Sequence, residues 1–207
     1  MAGMTKMKKK KETVVLVAAL CVAATIVALV LLLGGKGGLT GTPTLTVETP
    51  QKLRAGSAET LTLDVTISDM GEALYPAASM SISFDPACLE FLGVEEGNVF
   101  ILDAASSSGR QLPQWSYNAA ISNETGMINI MYLDMTGGRC AFSRELLSEE
   151  DNVVLRLSFR VRGSVRSGDV LDLIVEDAVF AASDESESLA LTRKTLRAKD
   201  SRIVIGE

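Results

Sequence analysis

Apolar and polar residues alternate with a period of two along much of the chain beyond residue 44. In TLTLDVTISD (60–69), the apolar side chains fall on one face and the polar side chains on the other. The same alternation runs through VVLRLSFRVRG (153–163) and ASMSISF (78–84). Because successive side chains of a strand point to opposite faces of a sheet, this pattern predicts strands with one buried face.

Short strands of this kind, separated by turn signals and with no helical period between them, are typical of two packed antiparallel sheets. We therefore predict an all-β fold, a nine-stranded antiparallel β-sandwich with jelly-roll topology. The stretch 143–152 also has the residues for one helical turn. The predicted strands are 44–49, 60–69, 78–84, 89–94, 114–121, 127–134, 153–163, 170–180 and 202–205.

The N-terminal segment has a different composition. Residues 13–33 carry no charge and consist almost only of Val, Leu, Ala and Ile. As a helix rising ~1.5 Å per residue they would span roughly 31 Å, about the hydrocarbon thickness of a bilayer. The tail 1–12 contains five lysines, which favours a cytoplasmic N-terminus. We predict one N-terminal transmembrane helix at 13–33, a Gly-rich linker at 34–43 and an extracellular domain at 44–207.

A cleaved signal peptide is the alternative to this membrane anchor. The apolar run is longer than the ~7–15 residues of a signal h-region, and no A-x-A site follows it. We therefore expect a single-pass protein of the cell membrane. The net charge of −6 divides at the same boundary, with +5 on residues 1–38 and −11 on residues 39–207. An acidic domain would repel nucleic-acid phosphates, which argues against a nucleic-acid partner.

The residue types available for catalysis are few. The chain has no histidine, which excludes Ser-His-Asp and Cys-His arrangements and histidine metal sites. Cys88 and Cys140 have no histidine to activate them, and whether they form one disulfide is left open, with two thiols favoured. Acidic runs such as Glu95-Glu96 lie in predicted turns, where charge runs are usually solvated. We predict neither an enzyme nor a metal site.

A membrane-displayed carbohydrate-binding sandwich is the alternative function. Such a module would stack sugars on exposed aromatic side chains. The aromatic residues that the pattern leaves as candidates for exposure are Tyr75, Trp115, Tyr117 and Tyr132. An aromatic platform on one sheet face would favour this function.

A break in the strand pattern is the most specific motif. Phe84-Asp85-Pro86 ends one strand, Leu89-Glu90 begins the next, and Gly97 follows. Proline cannot donate a ladder hydrogen bond and disfavours helix in the preceding residue, so we expect a corner where the chain crosses to the other sheet. Leu89, Phe91 and Val94 would then enter the core.

Further motifs follow in order: MINIMYLDMTGG (127–138), VVLRLSFRVRG (153–163) and DAVFAASD (177–184). Together with the Asp-Pro break, the chain from about 44 to 207 resembles the cohesin domain of cellulosomal scaffoldins. The resemblance implies binding to dockerins, small calcium-loaded helical modules of polysaccharide-degrading enzymes. Calcium is then expected on the partner and no cofactor on this chain, which would meet polysaccharide only indirectly at the cell surface.

The resemblance also implies a partner-binding sheet face. Met131, Asp134 and Gly137 fall where cohesins have an apolar contact residue, an acid and a turn glycine. Many cohesins have Asn and Asp where this chain has Ala77 and Ser79, and some have tyrosine at Ser122. The strand pattern adds Ser81 and Leu133 to the same outward face. The predicted partner-binding residues are Ala77, Ser79, Ser81, Ser122, Met131, Leu133, Asp134 and Gly137.

Exposed apolar residues on a sandwich favour contact, whereas a loop of the same domain covering this face is the alternative. If the face is open, Met131→Lys or Asp134→Lys should weaken partner binding and leave the thermal midpoint nearly unchanged.

Overall fold

Ten strands and one short helix make up the part of the chain that the structure, a computed structural model, describes: residues 41–50, 53–54, 60–70, 73–97, 115–138, 140–144, 152–183 and 190–206. The predicted count of nine strands is therefore corrected to ten. The elements are β1 (Thr44–Val47), β2 (Leu53–Arg54), β3 (Thr60–Ser68), β4 (Ala77–Ser83), β5 (Leu89–Glu96), α1 (Ala119–Thr125), β6 (Met127–Leu133), β7 (Val153–Val161), β8 (Val170–Ala181), β9 (Arg197–Lys199) and β10 (Ser201–Gly206).

Two five-stranded sheets contain these strands. Odd-numbered strands form one sheet in the order β5-β7-β3-β1-β9, and even-numbered strands form the other in the order β2-β10-β8-β4-β6. Every connection between consecutive strands therefore passes from one sheet to the other. The predicted sandwich is confirmed, but it is not wholly antiparallel, because β1 pairs with β9 and β2 with β10 in parallel.

The interior between the sheets is apolar. The alternation in the sequence matches the burial, since Leu61, Leu63, Val65 and Ile67 of β3 are each at most 7% exposed. Aromatic rings fill the space between the sheets, and Phe159 of β7 contacts Phe84 and Phe91 with ring centroids 5.6 and 5.5 Å apart. Full burial of such a side chain stabilises the fold by roughly 1.5–3 kcal/mol.

The Asp-Pro break forms the predicted corner. The Asp85 backbone carbonyl accepts hydrogen bonds from the backbone N–H groups of Cys88 and Leu89, and its carboxylate accepts one from Ala87 N–H. This turn takes the chain from β4 in one sheet to β5 in the other. Leu89 and Phe91 are buried and Val94 packs against the core, as predicted.

Gly97, the glycine that follows the corner motif, is required by packing. A Cβ atom at this position would lie 2.2 Å from the Val153 carbonyl oxygen and 2.4 Å from that of Val154. Real Cβ atoms do not approach backbone oxygen so closely, so the end of β5 can pass β7 at this distance only with glycine.

The strand predicted at 114–121 is wrong. Ser116 makes one isolated bridge to Met131, and α1 begins three residues later. Asn118 caps this helix by accepting a hydrogen bond from Ile121 N–H, and Gly126 ends it with φ +70°. An Asn cap and a left-handed glycine are strong local helix signals, and they override the apolar alternation of this segment.

The remaining predictions concern segments that lie wholly or mostly outside the described residues. Most of the predicted helical turn at 143–152 and the whole of residues 1–40 lie outside them. Within the described ranges, no helix has the length and apolar character needed to cross a membrane. The tail, the transmembrane helix at 13–33 and most of the linker therefore stay predictions.

Candidate partner-binding face

The outward side chains of β4, β6 and residues 177–181 of β8 form one continuous surface, which we call the contact face. The register places Ala77 opposite Leu133 and Ser79 opposite Met131. On the other side of β4, Ser79 lies opposite Val179 of β8. Small side chains in the central strand keep the contact face flat.

An apolar ridge runs along one border of the contact face. Its members are Met131, Leu133 and Met135, whose exposed fractions are 60%, 52% and 79%. Leu74, beside the end of the ridge at Gly138, is also exposed. Contiguous exposed apolar side chains of this size favour a protein contact, and none of the described loops covers the face at these positions.

Residues 116–118 extend the contact face beyond β6. The backbone N–H and C=O of Ser116 bond to those of Met131 at 2.7 and 2.9 Å. Tyr117 then lies against Phe91 of β5 with ring centroids 5.7 Å apart. Gly93 permits this contact, because a Cβ there would be 2.6 Å from the Tyr117 hydroxyl. A shallow groove of about 410 Å³ lies between Tyr117, β6 and β4.

Asp134 organises the turn after β6 and is not an open acid of the contact face. It is 8% exposed. One carboxylate oxygen accepts hydrogen bonds from the Thr136 N–H and hydroxyl, at 2.7 and 2.5 Å, and the other accepts one from Gly138 N–H at 2.8 Å. Both oxygens are thus engaged within the turn, so the sequence-based prediction that Asp134 contacts a partner does not fit its position.

The turn that Asp134 holds presents Gly137 to solvent. Gly137 and Gly138 have φ values of +77° and +91°, a conformation that glycine adopts without steric cost. A Cβ at Gly137 would meet no atom within 4 Å, so backbone conformation and not crowding favours glycine there. Gly137 thus lies at the end of the apolar ridge, and its part in a partner contact stays a prediction.

Ser122 does not lie on the contact face, and its prediction as a contact residue is wrong. Its side chain is 2% exposed, and its hydroxyl donates a hydrogen bond to the Asn118 carbonyl within α1. The prediction came from the resemblance to cohesins, some of which have tyrosine at this position, whereas here α1 turns the side chain inward. Ile121, the next residue towards the N-terminus of α1, is instead 53% exposed.

The aromatic candidates for sugar stacking are mostly buried. Tyr75 and Tyr132 are 1% exposed and Trp115 is 7% exposed. Trp115 packs against Tyr132 with ring centroids 5.1 Å apart. Among the described residues, Tyr117 is the one aromatic side chain with substantial exposure, at 40%. The described part of the sheet surface therefore offers no row of aromatic rings.

The two cysteines of the domain form no disulfide. Cys140 is buried, and Cys88 is partly buried with its Sγ donating to the Asp85 carboxylate at 3.2 Å. Burial first, and then the neighbouring Asp85, raises the pKa of the Cys88 thiol, so it stays protonated at neutral pH. A protonated thiol is a poor nucleophile.

The sequence-based prediction missed three residues of the contact face: Met135, Val179 and Ala181. Met135 continues the period of Met131 and Leu133 by one step beyond the strand, and that signal could have found it. Val179 and Ala181 could not be placed, because nothing local to β8 indicates that it lies beside β4. Their outward direction also depends on an irregularity in this pairing near Ser81.

Comparison with known proteins supports a single family. The cohesin domain profile matches residues 43–196. The fold resembles the cohesin of a Clostridium thermocellum Coh-OlpA-Doc918 complex, with 16% identity, a TM-score of 0.59 and coverage of 80% of this chain and 99% of that one.

Other solved structures show the same fold. The third cohesin of ScaC from Acetivibrio cellulolyticus, in complex with a ScaB dockerin, is 16% identical with a TM-score of 0.57, and covers 80% of this chain and 99% of its own. A non-cellulosomal cohesin of Archaeoglobus fulgidus is 13% identical with a TM-score of 0.52, over 81% and 93% of the two chains. A search of curated protein sequences found no significant match. Because the profile spans most of the sandwich whose corner, sheets and turn are described above, this chain belongs to the cohesin domain family.

Proposed function

We propose that this chain binds dockerin modules through its contact face and holds the proteins that carry them at the cell surface. The cohesin domain is a non-catalytic interaction module, and several of the similar solved structures are complexes with dockerins. The observation that carries the proposal is the apolar ridge of Met131, Leu133 and Met135 beside the flat, small-residue surface of β4. A ridge of this kind supplies the desolvated anchors that contribute most to protein interfaces.

The character of the contact face also supports a protein ligand over a sugar. Its central strand presents Ala77 and Ser79, which offer little surface for ring stacking, whereas the ridge offers large aliphatic and thioether side chains. Sugar binding stays the alternative function, to be tested beside dockerin binding.

The membrane anchor belongs to the same proposal. The uncharged 13–33 segment has the length of a bilayer span, and the lysines before it favour a cytoplasmic N-terminus. The domain would then be displayed outward on the linker. Extraction of membranes at alkaline pH tests this: an anchored chain stays in the membrane pellet, and a chain released into the supernatant would contradict the anchor.

Calorimetric titration of the full-length chain in mild detergent, against a panel of dockerins, tests the binding function. We expect saturable binding to at least one dockerin with calcium present and its loss when a chelator unfolds the dockerin. Titration with soluble polysaccharides in the same experiment tests the alternative function, which is sugar binding. Heat of binding from a polysaccharide and none from the dockerins would contradict the proposal.

A further inference from the structure

Methionine is concentrated along β6 and its continuation beyond the end of the strand. The chain has eight methionines in 207 residues. Three of them, Met127, Met131 and Met135, occupy three of the five successive outward positions here, and the other two positions are Asn129 and Leu133. Leucine would supply similar apolar surface, so methionine adds one property that leucine lacks, a sulfur atom that can be oxidised.

Exposure divides the methionines of the described residues into two groups. Met131 and Met135 are 60% and 79% exposed, whereas Met70 and Met80 lie in the core at 3% and 2%. Met127, at the start of β6, is half-buried. Because oxidation of a thioether requires that the oxidant reach the sulfur, the two ridge methionines should be oxidised first and the two core methionines last.

The thiols of the domain compete only weakly for the same oxidant. Cys140 is fully buried. Cys88 is partly buried, and its thiol donates a hydrogen bond to the Asp85 carboxylate. A thiol reacts with peroxide as its thiolate, whereas a thioether needs no deprotonation. Within the described ranges, Met131 and Met135 are therefore the most accessible sulfur sites.

Oxidation would change the chemistry of the apolar ridge. A peroxide transfers one oxygen atom to the sulfur: the O–O bond breaks, an S=O bond forms, the sulfur loses two electrons, and the reduced peroxide leaves as water or an alcohol. The product, methionine sulfoxide, is polar and chiral and disrupts methionine-rich interfaces. Sulfoxides at Met131 and Met135 would place polar oxygens where a partner buries apolar surface, and burial of a polar group without a hydrogen bond is unfavourable.

We propose that Met131 and Met135 are reversible oxidation sites through which a peroxide lowers the affinity of the contact face for dockerins. A methionine sulfoxide reductase would restore the thioether with a dithiol as the electron donor, so that the dithiol becomes a disulfide and the oxygen leaves as water. The inference rests on the proposed function, because the oxidation state is read as dockerin affinity. It adds a form of regulation in which peroxide reduces the capture of dockerin-bearing proteins.

The test treats the full-length chain in mild detergent with dilute hydrogen peroxide and removes the peroxide with catalase. A dockerin that binds the untreated chain in the calorimetric screen is then added. Peptide mass spectrometry gives the extent of oxidation at each methionine, and the thermal midpoint shows whether the core stays intact.

We expect sulfoxide at Met131 and Met135 while Met70 and Met80 stay reduced and the thermal midpoint is unchanged. The affinity for the dockerin should fall roughly tenfold or more, because the sulfoxide oxygens lose water when the partner covers them. Incubation with a methionine sulfoxide reductase and dithiothreitol should return the affinity to that of the untreated chain.

The double variant Met131→Leu/Met135→Leu separates the ridge sites from every other methionine. Its affinity after peroxide should equal its own affinity before peroxide, whatever the starting value, because leucine has no sulfur. Met127→Leu is the matched control, since it removes a half-buried thioether from the same strand and leaves both ridge methionines in place. Peroxide should lower its affinity by the same factor as in the wild-type chain.

Other results would overturn the inference. Unchanged affinity of a wild-type chain that carries sulfoxide at both Met131 and Met135 would contradict it and leave dockerin binding established. An equal loss in the double variant and the wild type would assign the effect to another group, and oxidation of Met70 and Met80 before the ridge would contradict the argument from exposure. A wild-type chain that binds no dockerin before treatment would overturn the proposed function and, with it, this regulation.

Discussion

At the scale of single residues, Asp134 shows how a position that sequence comparison assigns to a partner can belong to the fold. Its two carboxylate oxygens accept three hydrogen bonds from the turn 134–138. Asp134→Ala would leave these donors without an acceptor, and loss of a buried hydrogen-bond partner costs about 1–3 kcal/mol. We expect a lower free energy of unfolding in urea. Asp134→Asn, which keeps one acceptor oxygen, should lose less.

This expectation replaces the sequence-based one that Asp134→Lys would leave the thermal midpoint unchanged. An Asp134→Ala chain with wild-type stability would mean that the turn does not depend on the carboxylate.

Gly97 gives a second prediction at this scale. Gly97→Ala would place a methyl group into the backbone of β7, and overpacking of this kind costs about 1–3 kcal/mol or more. Gly163→Ala is the matched control, since a Cβ there meets no atom within 4 Å. Denaturant titration should show a large loss of stability for the first variant and a change within about 1 kcal/mol for the second. Equal effects would contradict the packing explanation.

At the scale of elements, α1 closes the edge of β5. The Asn123 side chain accepts a hydrogen bond from Phe91 N–H at 2.7 Å and donates one to Phe91 C=O at 2.8 Å, so its amide takes the place of a neighbouring strand. Asn123 begins the sequence Asn-Glu-Thr, and its side-chain amide is engaged within the sandwich and not directed to solvent.

Asn123→Ala should destabilise the domain by about 1–3 kcal/mol, although alanine favours helix more than asparagine does. Glu124→Ala, at an exposed position of the same helix, should change stability by no more than about 0.5 kcal/mol. Chemical denaturation of both variants checks this. Retained stability in Asn123→Ala would show that the strand edge needs no cap.

How far the sequence predicts the structure depends on the kind of signal. Strands with one buried face, such as β3 and β7, follow from their alternation, and the Asp85-Pro86 corner follows from the chemistry of proline. β2 and β9 could not be predicted, because two or three residues carry no measurable period. Val179 and Ala181 of β8 could not be recognised as members of the contact face, since sequence gives neither the order of strands in a sheet nor the register shift near Ser81.

At the scale of the whole molecule, the alternation of consecutive strands between the two sheets brings β4, β6 and β8 together although they are far apart in sequence. The result is a face with an apolar ridge at one border and small side chains along its central strand. Such an asymmetric surface favours one orientation of a bound partner, with the core supporting it from behind. The central claim is that this face, and no other part of the sheet, binds the dockerin.

The measurement that tests this claim most directly is the affinity of Met131→Lys for a dockerin that binds the wild-type chain. Val204→Lys is its matched control, because Val204 is 62% exposed, close to the 60% of Met131, but lies on β10 of the same sheet, away from the contact face. We predict that Met131→Lys loses roughly thirtyfold or more in affinity, the effect of removing an anchor worth ≥2 kcal/mol, with an unchanged thermal midpoint. Val204→Lys should bind like wild type. Equal affinity of Met131→Lys and wild type, or an equal loss in both variants, would contradict the account.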